Sequence, residues 1–267
     1  QPAGVYYCPS ALTPSRAAAF EWTLRFLRGV AARPPVLHCH GLHEWAMLYR
    51  PEGRPAPPKH QKALGLRISQ GEINKAVEAR TLQCTHFDAF RFFVPEARPF
   101  NKEQLTREAQ AATDQPGCVH ATMDLFKWAL KLCPLLPSAL LAEAAALALE
   151  ARALDVRASP YDARAYSDRR FDLSPIKVET AEGRVQYQHI QEGLWQKSIP
   201  LRASLIEEYE KVLRQYYLLM EEQEPGERGE GSISSSCGGG KQGKQHRATP
   251  SSGSSSTNEL GRYDLYR

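Results

Sequence analysis

The chain of 267 residues lacks the short motifs that mark several large enzyme classes. No glycine-rich loop stands between a strand pattern and a helix pattern, which argues against nucleotide-driven phosphoryl transfer and dinucleotide redox chemistry. No Gly-x-Ser-x-Gly turn is present, which argues against α/β-hydrolase chemistry. The His-Glu-x-x-His spacing of zinc proteases is absent too.

Long apolar runs and paired cysteines are missing as well. No apolar stretch reaches the length of about 18 residues that predicts a membrane span, so we expect no membrane segment. The six cysteines include no Cys-x-x-Cys pair, which predicts free thiols in a soluble protein of a reducing, intracellular compartment. The formal net charge of +4 permits a polyanionic partner such as nucleic acid but does not require one.

Composition divides the chain into three parts. Residues 223–267 are rich in Gly, Ser, Lys, Gln and Glu and poor in apolar side chains, which predicts a disordered tail. Residues 36–222 are expected to form a single domain, because this length can bury one substantial core. Residues 1–35 are predicted to be an N-terminal helix followed by a linker, since two consecutive prolines break the helical pattern there.

The spacing of apolar residues predicts a mainly α fold, a single helical domain with a small antiparallel β element. Helices are expected over residues 15–30, with Ser15 as the N-cap, and over 42–49, 106–114, 118–132, 138–154 and 180–222. Pro200 is expected to kink or split the last of these helices. Residues 64–69 and 82–94 have strand character, and a period of two would place His86, Asp88, Phe90 and Phe92 on one face.

Histidines gather beside carboxylates and aromatic residues in three short segments. The segments are residues 38–45, 84–88 and 118–124, and they contain five of the eight histidines. Histidine titrates near physiological pH and binds metals, and a nearby carboxylate orients it or shares its proton. The clustering predicts one site of chemistry or of polar recognition.

One interpretation of the site is acid–base catalysis without a metal. A buried carboxylate would activate water or stabilise a cationic transition state while a histidine carries protons. The candidate catalytic residues are Asp88, Asp124, His43, Glu44, His86 and His120. Flat walls for a ring substrate would come from Trp45, Phe90, Trp128 and Tyr161, and charged contacts from Arg91, Lys127 and Arg157, the last as an anchor for a phosphate or carboxylate.

A second interpretation is a metal centre. His86, Asp88 and His120 have the composition of a two-histidine, one-carboxylate triad, which holds iron and leaves coordination positions open. With His43 as a fourth ligand, a zinc site also becomes arithmetically feasible. A third interpretation has no catalysis: the same histidines form a structural polar network in a binding module. The sequence by itself does not separate the three.

Longer motifs give the chain a resemblance to a family of bacterial proteins that carries the label 3-methyladenine DNA glycosylase. The stretches that match are residues 41–47, 84–93, 116–129 and 154–162. The resemblance extends over roughly residues 36–205, and these motifs are long enough to be specific for the family. It supplies no assigned catalytic residue.

The resemblance implies a hydrolase of the N-glycosidic bonds of alkylated bases, with damaged DNA as the partner and no cofactor. Such an enzyme flips the base out of the duplex and recognises its positive charge by cation–π contact with aromatic rings. A carboxylate then stabilises an oxocarbenium-like sugar while water attacks. In this light Asp88 or Asp124, with Trp45, Phe90 and Trp128, would supply the required groups.

Overall fold

The computed structural model describes residues 7–55 and 62–223 of the chain. These residues form α1 (Pro14–Ala31), α2 (Leu42–Ala46), β1 (Gly65–Leu66), α3 (Gln70–Glu78), α4 (Phe87–Phe90), α5 (Gln110–Thr113), α6 (Val119–Leu132), α7 (Ser138–Ala158), β2 (Tyr161–Asp162) and α8 (Ala181–Gln223). Short 3-10 turns cover Pro9–Ala11, Pro95–Phe100 and Arg164–Tyr166. The mainly α class with a small antiparallel β element is confirmed. The predicted disordered tail lies outside the described residues from residue 224 onward.

The long helices build the core. α6 and α7 pack against each other, both contact α8, and α1 lies along α8 as well. Buried leucines on these helices, such as Leu27, Leu132 and Leu205, fill the space between them. α8 continues through Pro200, so Pro200 does not split the helix, while the alternative of a kink stays a prediction. A helix packed on three neighbours tolerates the one backbone hydrogen bond that a proline removes. No helix in the described part of the chain combines the length and apolar character needed to cross a membrane.

Several helices begin or end at residues other than the predicted ones. Thr13, not Ser15, is the N-cap of α1, because its hydroxyl accepts a hydrogen bond from the Arg16 amide and Pro14 fits the first helical position. α7 runs four residues beyond its predicted end, to Ala158. The helix expected over 106–114 shortens to the single turn of α5.

The strand prediction for residues 82–94 is wrong. These residues form the single turn of α4 and the turns around it, with only an isolated bridge between Leu82 and Asn101. Leu82, Cys84 and His86 are buried at every second position in an extended segment, but from His86 onward the buried residues are Ala89, Phe90 and Phe93, which is the spacing of one helix face. Phe92 is 37% exposed, so the alternation does not continue into α4 and the residues after it.

The β element joins two distant segments instead. β1 pairs antiparallel with β2, with Gly65 opposite Asp162. Residues 70–80, which lie between the two predicted strands, contain α3. Ser69 and Glu72 form a reciprocal capping box at the N-terminus of this helix. Arg67 fixes this strand pair in place: its guanidinium pairs with both carboxylate oxygens of Glu179, at 2.7 and 2.9 Å, and lies over the ring of Trp45. Residues 64–67 are thereby held beside the end of α7.

Candidate metal centre

Three side chains from three helices meet at the centre of the site. His43 of α2, His120 of α6 and Asp155 of α7 each offer a ligand atom, and these atoms all lie within 4.8 Å of one another. His43 Nε2 is 2.7 Å from Asp155 Oδ1, and the two imidazole rings are 4.5 Å apart between centroids. His43 and Asp155 are buried.

A tight backbone contact positions His43. His40 and Gly41 both adopt left-handed backbone conformations, with φ of 51° and 71°, and turn the chain into α2. A Cβ on Gly41 would stand 2.7 Å from the Cβ of Ala158, so only glycine lets this turn approach the end of α7. Trp45 Nε1 donates to the Ala158 carbonyl at 2.9 Å. α2 is thereby fixed against the helix that carries Asp155.

Substitution of Gly41 by alanine is expected to lower the free energy of unfolding by about 3 kcal/mol, because left-handed strain and a core clash add. The matched control is Gly53→Ala, where φ is 77° but nothing lies within 4 Å of the added Cβ. That variant carries the backbone strain alone, about 1–2 kcal/mol. Urea denaturation measures both. Equal losses in the two variants would show that the contact with Ala158 has no energetic role.

The pKa values of His43, Asp155 and His120 are shifted in different directions. Burial would lower the pKa of His43, but the charge of Asp155 and its hydrogen bond outweigh burial and raise that pKa well above its ordinary value. Burial would raise the pKa of Asp155, but His43 outweighs it and the carboxyl stays ionised. Burial lowers the pKa of His120, and the neighbouring His43 lowers it further. His120 is therefore a neutral imidazole with a free lone pair, the form that binds a metal.

Further groups orient the three. Cys39 Sγ lies 3.5 Å from His43 Nδ1, on the side of the ring away from Asp155. Arg152 Nη1 donates to Asp155 Oδ2 at 2.7 Å. Such outer contacts fix the tautomer and the direction of a ligating side chain.

His86 forms a second layer behind His120. The two rings stack at 5.2 Å with an interplanar angle of 10°. His86 Nδ1 lies 3.2 Å from Asp114 Oδ2 and His86 Nε2 lies 3.9 Å from Asp124 Oδ2. Burial would lower the pKa of His86, but the neighbouring Asp114 carboxylate outweighs it and raises the pKa. Asp124 also pairs with Lys127 one helical turn on.

Two cavities flank the His43–Asp155 pair. The smaller, about 10 Å³, is lined by three cysteines and two histidines among others, and its size is close to the roughly 10–15 Å³ that one water needs. The larger, about 360 Å³, is lined by Glu44, Leu64, Arg152, Asp155, Val156, Ser159 and Tyr161. Glu44 Oε2 is buried there with no hydrogen-bond partner among the described residues. Burial raises the pKa of Glu44, and the charge of Asp155 raises it further.

The structure brings together most of the histidines and acids predicted for the site, but not Asp88. His43, Glu44, His86, His120 and Asp124 lie within the cluster described above. The Asp88 carboxylate instead pairs with Arg107 Nη2 at 2.8 Å and with Arg91 Nε at 3.3 Å. It therefore lies between two arginines in the first turn of α4 and is not one of the residues that contact His43 or Asp155 in the described part of the chain.

The predicted substrate-binding residues have mixed positions. Trp45 and Phe90 are buried in the core, and Trp128 packs on Phe26 and Trp22. Lys127 lies over the Trp128 ring, and the Arg157 Nε donates to the Ser174 carbonyl at 3.0 Å, which fixes a turn. Tyr161 alone of the predicted aromatic walls lines the larger cavity.

Four polar residues of the site were not among the predicted ones: Asp155, Asp114, Arg152 and Cys39. The sequence does carry a signal for Asp155, which follows buried Ala151 at four residues and precedes buried Ala158 at three. A carboxylate on the apolar face of a helix is costly unless it has a partner, and this pattern would have singled it out. Cys39 lies inside the first histidine segment, four residues before His43.

The five cysteines of the described residues are free thiols, while the sixth, Cys237, lies outside that part of the chain.

Comparison of the chain with protein families, curated proteins and solved structures gave no match. Function is therefore inferred from the geometry and chemistry of the site.

Proposed function

We propose that the chain is a metal-dependent enzyme whose centre is held by His43, His120 and Asp155. The observation that supports this most is the mutual approach of their ligand atoms, all within 4.8 Å. Ligand atoms on one ion at roughly 2.0–2.2 Å lie at most about 4.4 Å apart, so a small movement of the side chains closes the set. Two imidazoles and one carboxylate suit Fe²⁺ or Zn²⁺ and leave positions open for water and substrate.

The surrounding residues fit this role. Cys39 and Arg152 hold His43 and Asp155 in orientation, as outer contacts of a metal centre do. Metal binding would displace the proton that His43 shares with Asp155 and leave two neutral imidazoles. A divalent ion at this position would polarise a substrate or lower the pKa of a bound water.

The larger cavity is the proposed substrate pocket. Its volume of about 360 Å³ suits a small molecule. Glu44, on its wall, has a raised pKa and an unpartnered oxygen, and such a carboxyl can deliver or accept a proton near neutral pH. Asp155 lines the same cavity, so the pocket reaches the proposed metal.

A DNA N-glycosylase that acts on alkylated bases is the second candidate. The sequence resemblance over roughly residues 36–205 supports it, as does the presence of Glu44 and Asp155 beside Tyr161 in a cavity wide enough for a base. In this proposal Glu44 and Asp155, rather than the arginine-clamped Asp88, supply the acid groups. Damaged DNA would be the partner and no metal would be needed.

Metal content and base release from one protein preparation separate the two candidates. The full chain is purified without chelator and without a histidine tag, then assayed for bound metal and for release of methylated bases from alkylated DNA. About one equivalent of iron or zinc per chain with no base release supports the metal-dependent enzyme. Base release that survives chelation supports the glycosylase. If the protein contains no metal and releases no base, the polar network has a structural role.

A further inference from the structure

A second pocket, lined by none of the three proposed metal ligands, has more cationic than acidic side chains in its wall. It lies between α3, the start of α8 and Leu42, and its volume is about 280 Å³. Three cationic side chains line it: Lys75 and Arg80 at the end of α3, and Arg184 in the first turn of α8. We propose that this pocket binds a small ligand through a phosphate or diphosphate group.

The acids of the pocket are already occupied. Glu72 accepts hydrogen bonds from the amide and hydroxyl of Ser69, both under 3 Å. Glu179 is held by both terminal nitrogens of Arg67. Neither carboxylate forms an ion pair with a pocket cation within the parts of the chain that the structure describes. The wall therefore presents cations to whatever fills the space.

Within residues 7–55 and 62–223, none of the three cations forms an ion pair with a carboxylate. Arg184 donates only to two backbone carbonyls, those of Val178 at 3.1 Å and Glu179 at 3.2 Å. Arg80 and Arg184 line the same pocket; burial lowers the pKa of Arg80, and the charge of Arg184 lowers it further. Neighbouring like charges are unfavourable, and an anion between them would relieve the repulsion.

His40 lies two residues before Leu42, which lines the pocket. Its Nδ1 is buried and has no hydrogen-bond partner among the described residues. Burial lowers its pKa. Guanidinium groups bind phosphate by paired hydrogen bonds, and a pocket of about 280 Å³ has room for a phosphate group and a small organic group attached to it.

Titration calorimetry at low ionic strength tests the proposal on the full chain. The probes are inorganic pyrophosphate and glycerol 3-phosphate, which separate a free inorganic anion from the phosphate group of an organic molecule. Arg80→Gln is the first variant, because its side chain has no hydrogen bond or ion pair with another described residue that the substitution would remove. We expect it to weaken binding of at least one probe about fivefold or more, and Lys75→Gln combined with Arg80→Gln to weaken it further.

Arg214→Gln is the matched control, since it removes the same charge from an exposed position on α8; its affinity should equal that of the unmodified chain. The proposal is overturned if neither probe binds or if Arg80→Gln and Arg214→Gln bind alike. Binding that survives Arg80→Gln but is lost in His120→Ala would place the anion on the metal centre and also overturn it. So would binding of duplex DNA, dependent on Arg80, without binding of either small probe.

Discussion

A His120→Ala chain is expected to lose its bound metal while it keeps its fold. His120 contacts His43 and His86 through its ring faces, and its low pKa leaves it uncharged. Its removal therefore strands no buried charge. The proposed centre, however, drops from three protein ligands to two. Loss of an outer contact alone weakens a metal site roughly 10–100-fold, so loss of a ligand should exceed about a hundredfold.

Elemental analysis after dialysis measures the effect. We expect about one equivalent of metal in the unmodified chain and less than about 0.1 in the variant. His189→Ala is the matched control, because His189 is exposed on α8 and lies outside the three ligands. Its metal content should be unchanged. A chain that keeps its metal after His120→Ala, while circular dichroism shows the same helix content, would refute the assignment of His120 as a ligand.

The thermal transition gives an independent reading of the same change. A ligand that binds only the folded state stabilises it by about 2.7 kcal/mol at a hundred times its dissociation constant. Chelator should therefore lower the melting temperature of the unmodified chain and of His189→Ala, but not that of His120→Ala. A structural polar network without metal predicts no chelator effect in any of the three.

The long helices could be predicted from the sequence because they obey local rules. The stripe of Leu201, Leu205, Tyr209 and Val212 that α8 buries repeats at helical spacing. α6 likewise begins and ends within a residue of its predicted bounds. The pairing of β1 with β2 could not be predicted, since it joins segments about a hundred residues apart and two-residue strands carry no period.

The kinds of residue that form the site could be predicted more easily than the particular residues that contact one another. Histidines and acids gather because buried ionisable groups need one another, and this clustering is visible in the sequence. Which acid faces which histidine depends on tertiary contacts. Asp88, two residues from His86, turns to Arg107, whereas Asp155 reaches His43 across 112 positions. Proximity in sequence was a poor guide because α4 is a helical turn and not a strand.

Removal of the Asp155 carboxylate should be the most damaging single substitution in the site. Its side chain is 1% exposed and bonds to His43 on one oxygen and to Arg152 on the other. Removing one partner of a buried charged pair leaves the other without compensation, at a cost of about 3–5 kcal/mol. Asp155→Ala is therefore expected to lower the free energy of unfolding by that amount, measured by urea denaturation at pH 7 with chelator present.

Chelator separates this structural role from metal binding, because both proteins are then compared without metal. Glu150→Ala is the control on the same helix: Glu150 pairs with Lys197, but the two side chains are 41% and 61% exposed, so its loss should cost no more than about 0.5 kcal/mol. Asp155→Asn keeps the side-chain volume and should fall between the two. If Asp155→Ala unfolds like Glu150→Ala, the His43–Asp155 pair contributes nothing to stability.

The pH dependence has a definite sign. The pKa of Asp155 is lowered in the folded state, so its contribution is present above the ordinary carboxyl range near 4 and is lost as the pH falls through the lowered value. The pKa of His43 is raised, so its contribution is full below about 6.5 and is lost as the pH rises through the raised value. The difference in stability between the unmodified chain and Asp155→Ala should therefore be largest between these limits and shrink towards both strong acid and alkali. A difference that is flat with pH would mean that the pair is not ionised, and that Asp155 supports the fold through packing alone.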